Sequence, residues 1–411
     1  MVDQGALKLK LSVFMFLQYF IWGSWYASMA TYLANTLKFG GEQIGAAYGA
    51  FAIGSIISPF FVGMIADRYF ASQRILGVLG IAGGLVLLFL GRLTTFSEFY
   101  PLLIVYCALF APTLALGNSV SLTHLANAKV DFPRIKIFSA IGWIAGGVTL
   151  SSFNGEQSAI QFQIAAVASF AFGMFSLLLP HTPPKKVGQN VTMGEILGLD
   201  ALALMKKPSF AIFIGCMFLI CIPLYFYFVM IAIYLSELQW TSIAGKLTLA
   251  QVSDIVFLFL LPVFLQRLGY KKTIFIGILA WALRYFFLAQ SVSGADLAVP
   301  LIFGAILLHG VCYDFLFIAG QLYVDSEANE RIRGAVQGFI AFILWGVGAL
   351  VGTYLAGKVL AANVLPVAQG TILHNWRGIW LTPAIGAAVV MVIFLIFFRE
   401  PLKKAVTGSS K

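Results

Sequence analysis

Three side chains that can exchange protons or hydrogen bonds stand in the middle of an apolar stretch, Pro300 to Asp325. The stretch is long enough to cross a bilayer at about 1.5 Å per residue. His309 and Tyr313 are four residues apart and share a helix face, and Asp314 flanks that face. An ionisable residue at that depth costs about 2.5–3.5 kcal/mol, so it normally faces a wet cavity or a partner. The stretch is predicted to form one side of a polar site. The structural alternative is a hydrogen bond that holds two helices together.

The composition predicts a chain embedded in a lipid bilayer. Of its 411 residues, 60% are hydrophobic and 10% are charged, and the mean hydropathy is +0.93. Soluble domains average about 25% charged residues, so we expect an all-α integral membrane protein. Twelve apolar runs approach the length of a spanning helix, about 20 residues. They lie near residues 9–34, 44–66, 75–91, 99–122, 137–153, 160–180, 210–235, 246–266, 272–290, 299–324, 334–356 and 378–398.

The longest polar segment divides these runs into six and six. It covers residues 181–209 and contains prolines and a lysine pair, which end one bundle and tether the next. We predict an N-terminal six-helix bundle at 1–180, a cytoplasmic linker at 181–209, a C-terminal six-helix bundle at 210–400 and a cytoplasmic tail at 401–411.

The two predicted bundles resemble each other in sequence. The stretch PFFVGMIADRYFASQRILGVLGIAG from Pro59 is answered by PVFLQRLGYKKTIFIGILAW from Pro262. Arg134-Ile135-Lys136 before the fifth run is answered by Arg331-Ile332-Arg333 before the eleventh. A duplicated, pseudo-symmetric unit of this kind places a substrate site between the halves, near the midplane.

The basic residues predict the orientation. With the N-terminus inside, only five of the 26 lysines and arginines fall outside, Lys38, Arg92, Lys246, Lys358 and Arg377, and Arg284 lies within a run. The positive-inside rule therefore puts both termini in the cytoplasm. The same asymmetry accounts for the net charge of +10 without nucleic acid as a partner. We expect a multi-pass protein of the bacterial cytoplasmic (inner) membrane.

Catalytic signatures are missing from the sequence. It has no His/Cys/Asp/Glu cluster at metal-ligand spacing, no phosphate-cradling loop and no Gly-x-Ser-x-Gly turn. We therefore expect no enzyme, no metal and no cofactor, and an ion gradient as the energy source. The four cysteines (Cys107, Cys216, Cys221 and Cys312) fall in apolar runs, which predicts free thiols.

One polar turn resembles the signature loop of the major facilitator superfamily. It follows the second run and contains Asp67, Arg68 and Arg74. The resemblance implies a gating loop whose charges bind neighbouring helix ends in one conformation only. The alternative is an ordinary cytoplasmic loop.

Motifs along nearly the whole chain are similar to those of one family within that superfamily, the nucleoside:proton symporters. The motifs are at 20–25, 111–119, 131–136, 197–201, 308–315 and 331–338. The resemblance implies the twelve-helix major facilitator fold and a monomer that imports nucleosides with protons by alternating access. A proton-coupled symporter of a small sugar or glycoside is the alternative, because sugar hydroxyls suit the same polar side chains.

The resemblance also implies roles for individual residues. Gln251 and Asp254, three apart on one helix face, correspond to an amide and an acid that grip the ribose hydroxyls. Trp143 replaces an aromatic residue that stacks on the base. Asp314 corresponds to a buried acid that carries the proton, and Asp254 could share that task. Lys136 stands where relatives have arginine, so a point charge remains.

Further candidate residues depart from the family pattern. Tyr225 and Phe228 fall where other members have polar side chains, and His309 falls where they have tyrosine. With Tyr313 they complete the predicted substrate site and leave the identity of the base open. Arg284 is expected to pair with an acid such as Asp254 or to hold the end of its helix.

Overall fold

A computed structural model describes residues 4–58, 70–184, 199–292, 295–328, 333–365 and 373–400. Almost all of them are helical, as an apolar chain requires when its backbone must form its hydrogen bonds without water. By length and apolar composition, eight helices among these residues can cross a membrane. The prediction of a helical membrane protein is confirmed.

The first half of the chain (residues 4–184) begins with a broken helix. The run predicted at 9–34 is divided by a turn after Gly23. The helices of this half are α1 Gln4–Gly23, α2 Met29–Asn35, α3 Gly41–Ser58, α4 Ser72–Leu90, α5 Phe96–His124, α6 Ala128–Ser152 and α7 Ile160–Ser176, with a 3₁₀ turn at Gly155–Gln157.

The second half (residues 199–400) contains π-helical segments and a small β ribbon. Its helices are α8 Pro208–Glu237, α9 Ile243–Leu247, α10 Leu249–Gln290, α11 Ala295–Leu307, α12 His309–Tyr313, α13 Ala319–Glu327, α14 Arg333–Ala341, α15 Gly348–Ala362 and α16 Trp376–Phe397. The other elements are a 3₁₀ helix at Leu199–Lys206, π segments at Asp314–Ile318 and Phe342–Val347, and antiparallel strands β1 Val364–Leu365 and β2 Leu373–His374.

Helix α10 contains most of the eighth predicted run and all of the ninth. Its two arms meet at Gly269, whose φ of 74° is accessible mainly to glycine. The Glu400 carboxylate accepts the backbone N–H groups of Tyr270 (3.1 Å) and Lys271 (3.2 Å), which begin the second arm. Because the first N–H groups of a helix have no partner within it, this carboxylate fixes where the second arm starts.

The outer surface is apolar, as a lipid-facing surface must be. Val78 (67% exposed), Phe259 (68%) and Ile385 (62%) project from three different helices. A soluble protein rarely exposes so much contiguous apolar area. The core between the helices is filled by aromatic and aliphatic side chains, with Trp25, Trp281 and Trp380 fully buried.

Helices α3 and α15 join the two halves through small residues. A Cβ atom added at Gly41 would lie 2.6 Å from the backbone nitrogen of Ala361, and one at Gly45 would lie 2.5 Å from the backbone oxygen of Thr353. Beside this contact, Lys358 Nζ is 2.9 Å from Glu42 Oε1. That exposed ion pair contributes little to stability, so the close backbone approach is what holds this contact.

Hydrogen bonds between the halves lie at the same end of the molecule as the contact between α3 and α15. Asn35 Nδ2 donates to Ser236 Oγ (2.7 Å), and the backbone N–H of Gly245 donates to Ser151 Oγ (2.8 Å). Among the described residues, every hydrogen bond between the halves is at this end, which we call the closed end.

Substitution of Gly45 by valine should prevent this closure. Overpacking costs about 1–3 kcal/mol, so the equilibrium constant for closure should fall about fivefold or more. Closure is measured by cross-linking Asn35→Cys to Ser236→Cys with a short bifunctional thiol reagent. Gly40→Val is the matched control, because a Cβ atom there meets nothing within 4 Å. Equal cross-linking in the Gly45→Val and Gly40→Val proteins would contradict the packing account.

Candidate functional site

Two helices of the second half approach closely and so bring two acids together. A Cβ atom at Gly310 of α12 would lie 2.4 Å from the backbone oxygen of Ser253 in α10, so only glycine fits. Ser253 Oγ donates to the backbone oxygen of Leu307 (2.5 Å) and accepts the N–H of Gly310 (3.2 Å). Asp254 follows directly in α10, and Asp314 lies one turn beyond Gly310. The glycine contact therefore sets the separation of the two carboxyl groups.

The side chains of Asp254 and Asp314 interact electrostatically with each other. Two carboxyl groups can form a hydrogen bond only if one of them carries a proton. Asp314 is 1% exposed. Asp254 Oδ1 and Asp314 Oδ2 are buried and have no partner among the described residues. The pair can thus hold one shared proton and still offer oxygen atoms to a ligand.

A small cavity lies between the halves, and neither Asp254 nor Asp314 belongs to its lining. Trp143 of α6 closes it from the first half, and Phe228, Gln251 and His309 from three helices of the second. Gln251 Oε1 is buried without a partner in the described part of the chain. Unsatisfied buried oxygen atoms are rare in proteins, and two of those in this structure, Gln251 Oε1 and Asp254 Oδ1, belong to the helix face where hydroxyl groups were predicted to bind.

Aromatic rings continue the wall of the cavity. The Trp22 ring lies 5.4 Å from that of Trp143 and stacks on Phe51 at 4.8 Å. Across the halves, the rings of Tyr26 and Phe228 are 5.6 Å apart. Tyr313 is next to the acids, interacts electrostatically with both, and stacks on His309 at 5.7 Å. These faces can hold a flat heterocycle.

The structure places four predicted substrate residues outside the lining of this cavity: Lys136, Tyr225, Asp254 and Tyr313. Lys136 Nζ donates to Tyr19 Oη (2.9 Å) and to Asn118 Oδ1 (3.3 Å), so its bonds are to these groups and not to Asp314. Tyr225 is buried and packs against Gly352, whose added Cβ would lie 3.0 Å from the Tyr225 Cβ.

The residues of the predicted gating loop are only partly described. Asp67 and Arg68 lie outside the described residues. Arg74 is an exposed residue of the first turn of α4.

Two contributors to the site were not recognised as such from sequence. Tyr227 lines the cavity, yet a tyrosine within an aromatic run carries no distinguishing signal. Arg284 was singled out, but the expected pairing with Asp254 is not what the structure shows. Its Nη1 donates to His309 Nδ1 (3.0 Å), and its guanidinium carbon lies 3.4 Å from the centre of the Tyr227 ring. Aromatic faces and an imidazole take the place of the acid.

The described residues contain no group of three or more His, Cys, Asp or Glu side chains that could hold a metal ion. The four cysteines are free and buried, as predicted. The chemistry available at the site is hydrogen bonding, ring stacking and proton exchange between carboxyl groups.

Comparisons with known proteins agree with this chemistry. A family model described as "Nucleoside H+ symporter" matches residues 6–403. YegT of Escherichia coli (strain K12), named for nucleoside transport, is 38% identical over 400 residues, which are 95% of this chain and 93% of YegT. The nucleoside permease NupG of the same organism is 30% identical over 431 residues, 98% of each chain.

A solved structure extends the similarity to the fold. The crystal structure of a mutant of the nucleoside transporter NupG superposes with a TM-score of 0.88 at 29% identity. It covers 96% of this chain and 100% of that one. These relatives are membrane transporters and not enzymes. The chain belongs to the nucleoside H+ symporter family.

Proposed function

We propose that this chain imports nucleosides together with protons by alternating access, and that Asp254 and Asp314 couple the two movements. The observation that carries the proposal is the carboxyl pair, whose Asp254 is one helical turn from Gln251, a residue that lines the cavity between the halves. Because the shared proton and the oxygen atoms proposed to bind ribose lie close together, the binding of one ligand can affect the binding of the other.

The polar oxygen atoms suit the sugar. Gln251 Oε1 and Asp254 Oδ1 are unpartnered acceptors, and ribose hydroxyls are donors that reach both. The rings of Trp143 and Phe228 suit the base, which they can hold between apolar faces. Lys136, Tyr225 and Tyr313 belong to the same proposed site, although all three lie outside the cavity lining in this conformation.

The carboxyl pair is suited to bind and release one proton. Two carboxylates buried together in a medium of low dielectric repel each other, so one proton between them is the favoured state. We propose that the pair takes up this proton from the outside with the nucleoside. It releases the proton when water re-enters from the cytoplasm.

The conformation fits a state closed to the outside. The closed end contains Glu42, Gln157 and Lys358, which the positive-inside rule places outside. We propose twelve spans in two six-helix bundles, 1–180 and 210–400, joined by a linker at 181–209, with both termini cytoplasmic. We further propose that Asp67, Arg68 and Arg74 gate the inner side and that the protein acts as a monomer in the bacterial inner membrane.

Loss of the proposed sugar and base contacts should weaken nucleoside binding. Gln251→Ala and Trp143→Ala should each reduce affinity about tenfold, since an unmade buried hydrogen bond costs about 1–3 kcal/mol and a lost ring contact about 0.5–1.5 kcal/mol plus buried area. Calorimetry on purified protein measures this. Gln163→Ala, on the exposed face of α7, is the matched control. Wild-type affinity in both cavity variants would move the site elsewhere.

Neutralisation of one acid should separate exchange from accumulation. In proteoliposomes, Asp314→Asn should still exchange labelled nucleoside for unlabelled nucleoside, because binding and alternation remain. It should lose the accumulation that an imposed pH gradient drives, because the shared proton is gone. Asp296→Asn, an exposed acid at the start of α11, should behave as wild type. Accumulation by the Asp314→Asn protein would show that another group carries the proton.

A further inference from the structure

Arg284 is a fully buried cation whose neighbours are aromatic. Its guanidinium carbon lies 3.4 Å from the centre of the Tyr227 ring and 5.3 Å from that of Trp281. No salt bridge in the described part of the chain includes it. Ring faces attract a cation without neutralising it. A strong directional hydrogen bond therefore remains available to this side chain, and His309 receives it.

The bond from Arg284 determines which nitrogen of His309 carries the proton. Nη1 is 3.0 Å from Nδ1. A guanidinium has only N–H donors and stays protonated in proteins, so Nδ1 must be the acceptor. A ring with a proton on Nδ1 would turn two donors toward each other. The ring is therefore neutral and carries its proton on Nε2.

The ring of His309 is also held in place. It is stacked with Tyr227 at 6.4 Å and with Tyr313 at 5.7 Å, at interplanar angles of 29° and 19°. It lines the same cavity as Gln251 and Trp143. With Nδ1 occupied, Nε2–H is the only polar hydrogen that this ring can offer to a ligand there.

Resting on the proposed function, we propose that Arg284 is a positioning residue that holds His309 as a neutral Nε2–H donor. The transported nucleoside then presents a hydrogen-bond acceptor to His309, a carbonyl oxygen or an unprotonated ring nitrogen of its base. The unpartnered atoms of Gln251 and Asp254 are acceptors and suit hydroxyl groups. A donor beside the base complements them.

The same contact separates His309 from proton transport. While Nδ1 accepts from Arg284, the ring cannot take up a second proton there. The fixed positive charge of Arg284 also disfavours a second cation beside it. Proton carriage therefore stays with the carboxyl pair.

Nuclear magnetic resonance of the full-length protein labelled with ¹⁵N-histidine tests the proton position directly. The chain has four histidines, and the His309 signals are those lost in His309→Gln. We expect the Nε2–H form in wild type and in Arg284→Lys, which keeps a charged donor. Arg284→Met should show a mixture of forms. An Nδ1–H form or a doubly protonated ring in wild type would overturn the inference, and this measurement needs no nucleoside.

Binding of altered nucleosides tests the donor role. The probes are nucleosides in which a base carbonyl oxygen or ring nitrogen is replaced by a C–H group. Removal of the right acceptor should weaken binding to wild type about tenfold or more. His309→Phe should bind parent and analogue equally, and His309→Gln, whose amide can donate, should still discriminate.

The outcomes separate this inference from the function on which it rests. Equal discrimination by wild type and His309→Phe would overturn the contact with His309. Failure of wild type to bind any nucleoside would overturn the proposed function and, with it, the substrate half of the inference. The histidine spectra would then still decide whether Arg284 sets the proton position.

Discussion

Two carboxyl groups in one buried place constrain the rest of this molecule. Carboxylates removed from water must be paired, protonated or bound to a ligand, because their desolvation otherwise costs several kcal/mol. No cation of the described residues forms a salt bridge with Asp254 or Asp314, so we propose that they meet this requirement with each other and with a single proton. The nearby cation, Arg284, is turned to His309 and to aromatic rings. We therefore propose that the proton and the oxygen atoms that bind the sugar lie close together.

Glycines place these groups and also allow the halves to meet. Gly310 lets α12 touch the backbone of α10 beside the acids, and Gly41 and Gly45 let α3 touch α15 at the closed end. Each contact is between backbones and leaves no room for a side chain. The contact at Gly310 lies within the second half, whereas those at Gly41 and Gly45 join the two halves and must separate if the halves move apart.

Features that depend on chain-local patterns could be predicted from the sequence, and features that depend on packing could not. Apolar length predicted the helices, and an acid in an apolar run marked Asp314. The kink at Gly269 divides α10 into two arms, and these arms correspond to the two predicted runs. The approach of Asp254 to Asp314 depends on Gly310 meeting Ser253, two residues far apart in sequence. The bond from Arg284 to His309 joins α10 to α12, and nothing in either segment indicates it. For the same reason the positions of Lys136, Tyr225, Asp254 and Tyr313 outside the cavity lining could not be foreseen.

The shared proton is the central claim, and infrared spectroscopy of the purified protein tests it most directly. The C=O stretch of a protonated carboxyl group is resolved from the bands of carboxylates. We expect a protonated carboxyl band in wild type at neutral pH that disappears in Asp314→Asn and shifts or disappears in Asp254→Asn. It should be unchanged in Asp296→Asn. A wild-type spectrum without such a band would contradict the account. So would a band that neither Asp314→Asn nor Asp254→Asn alters.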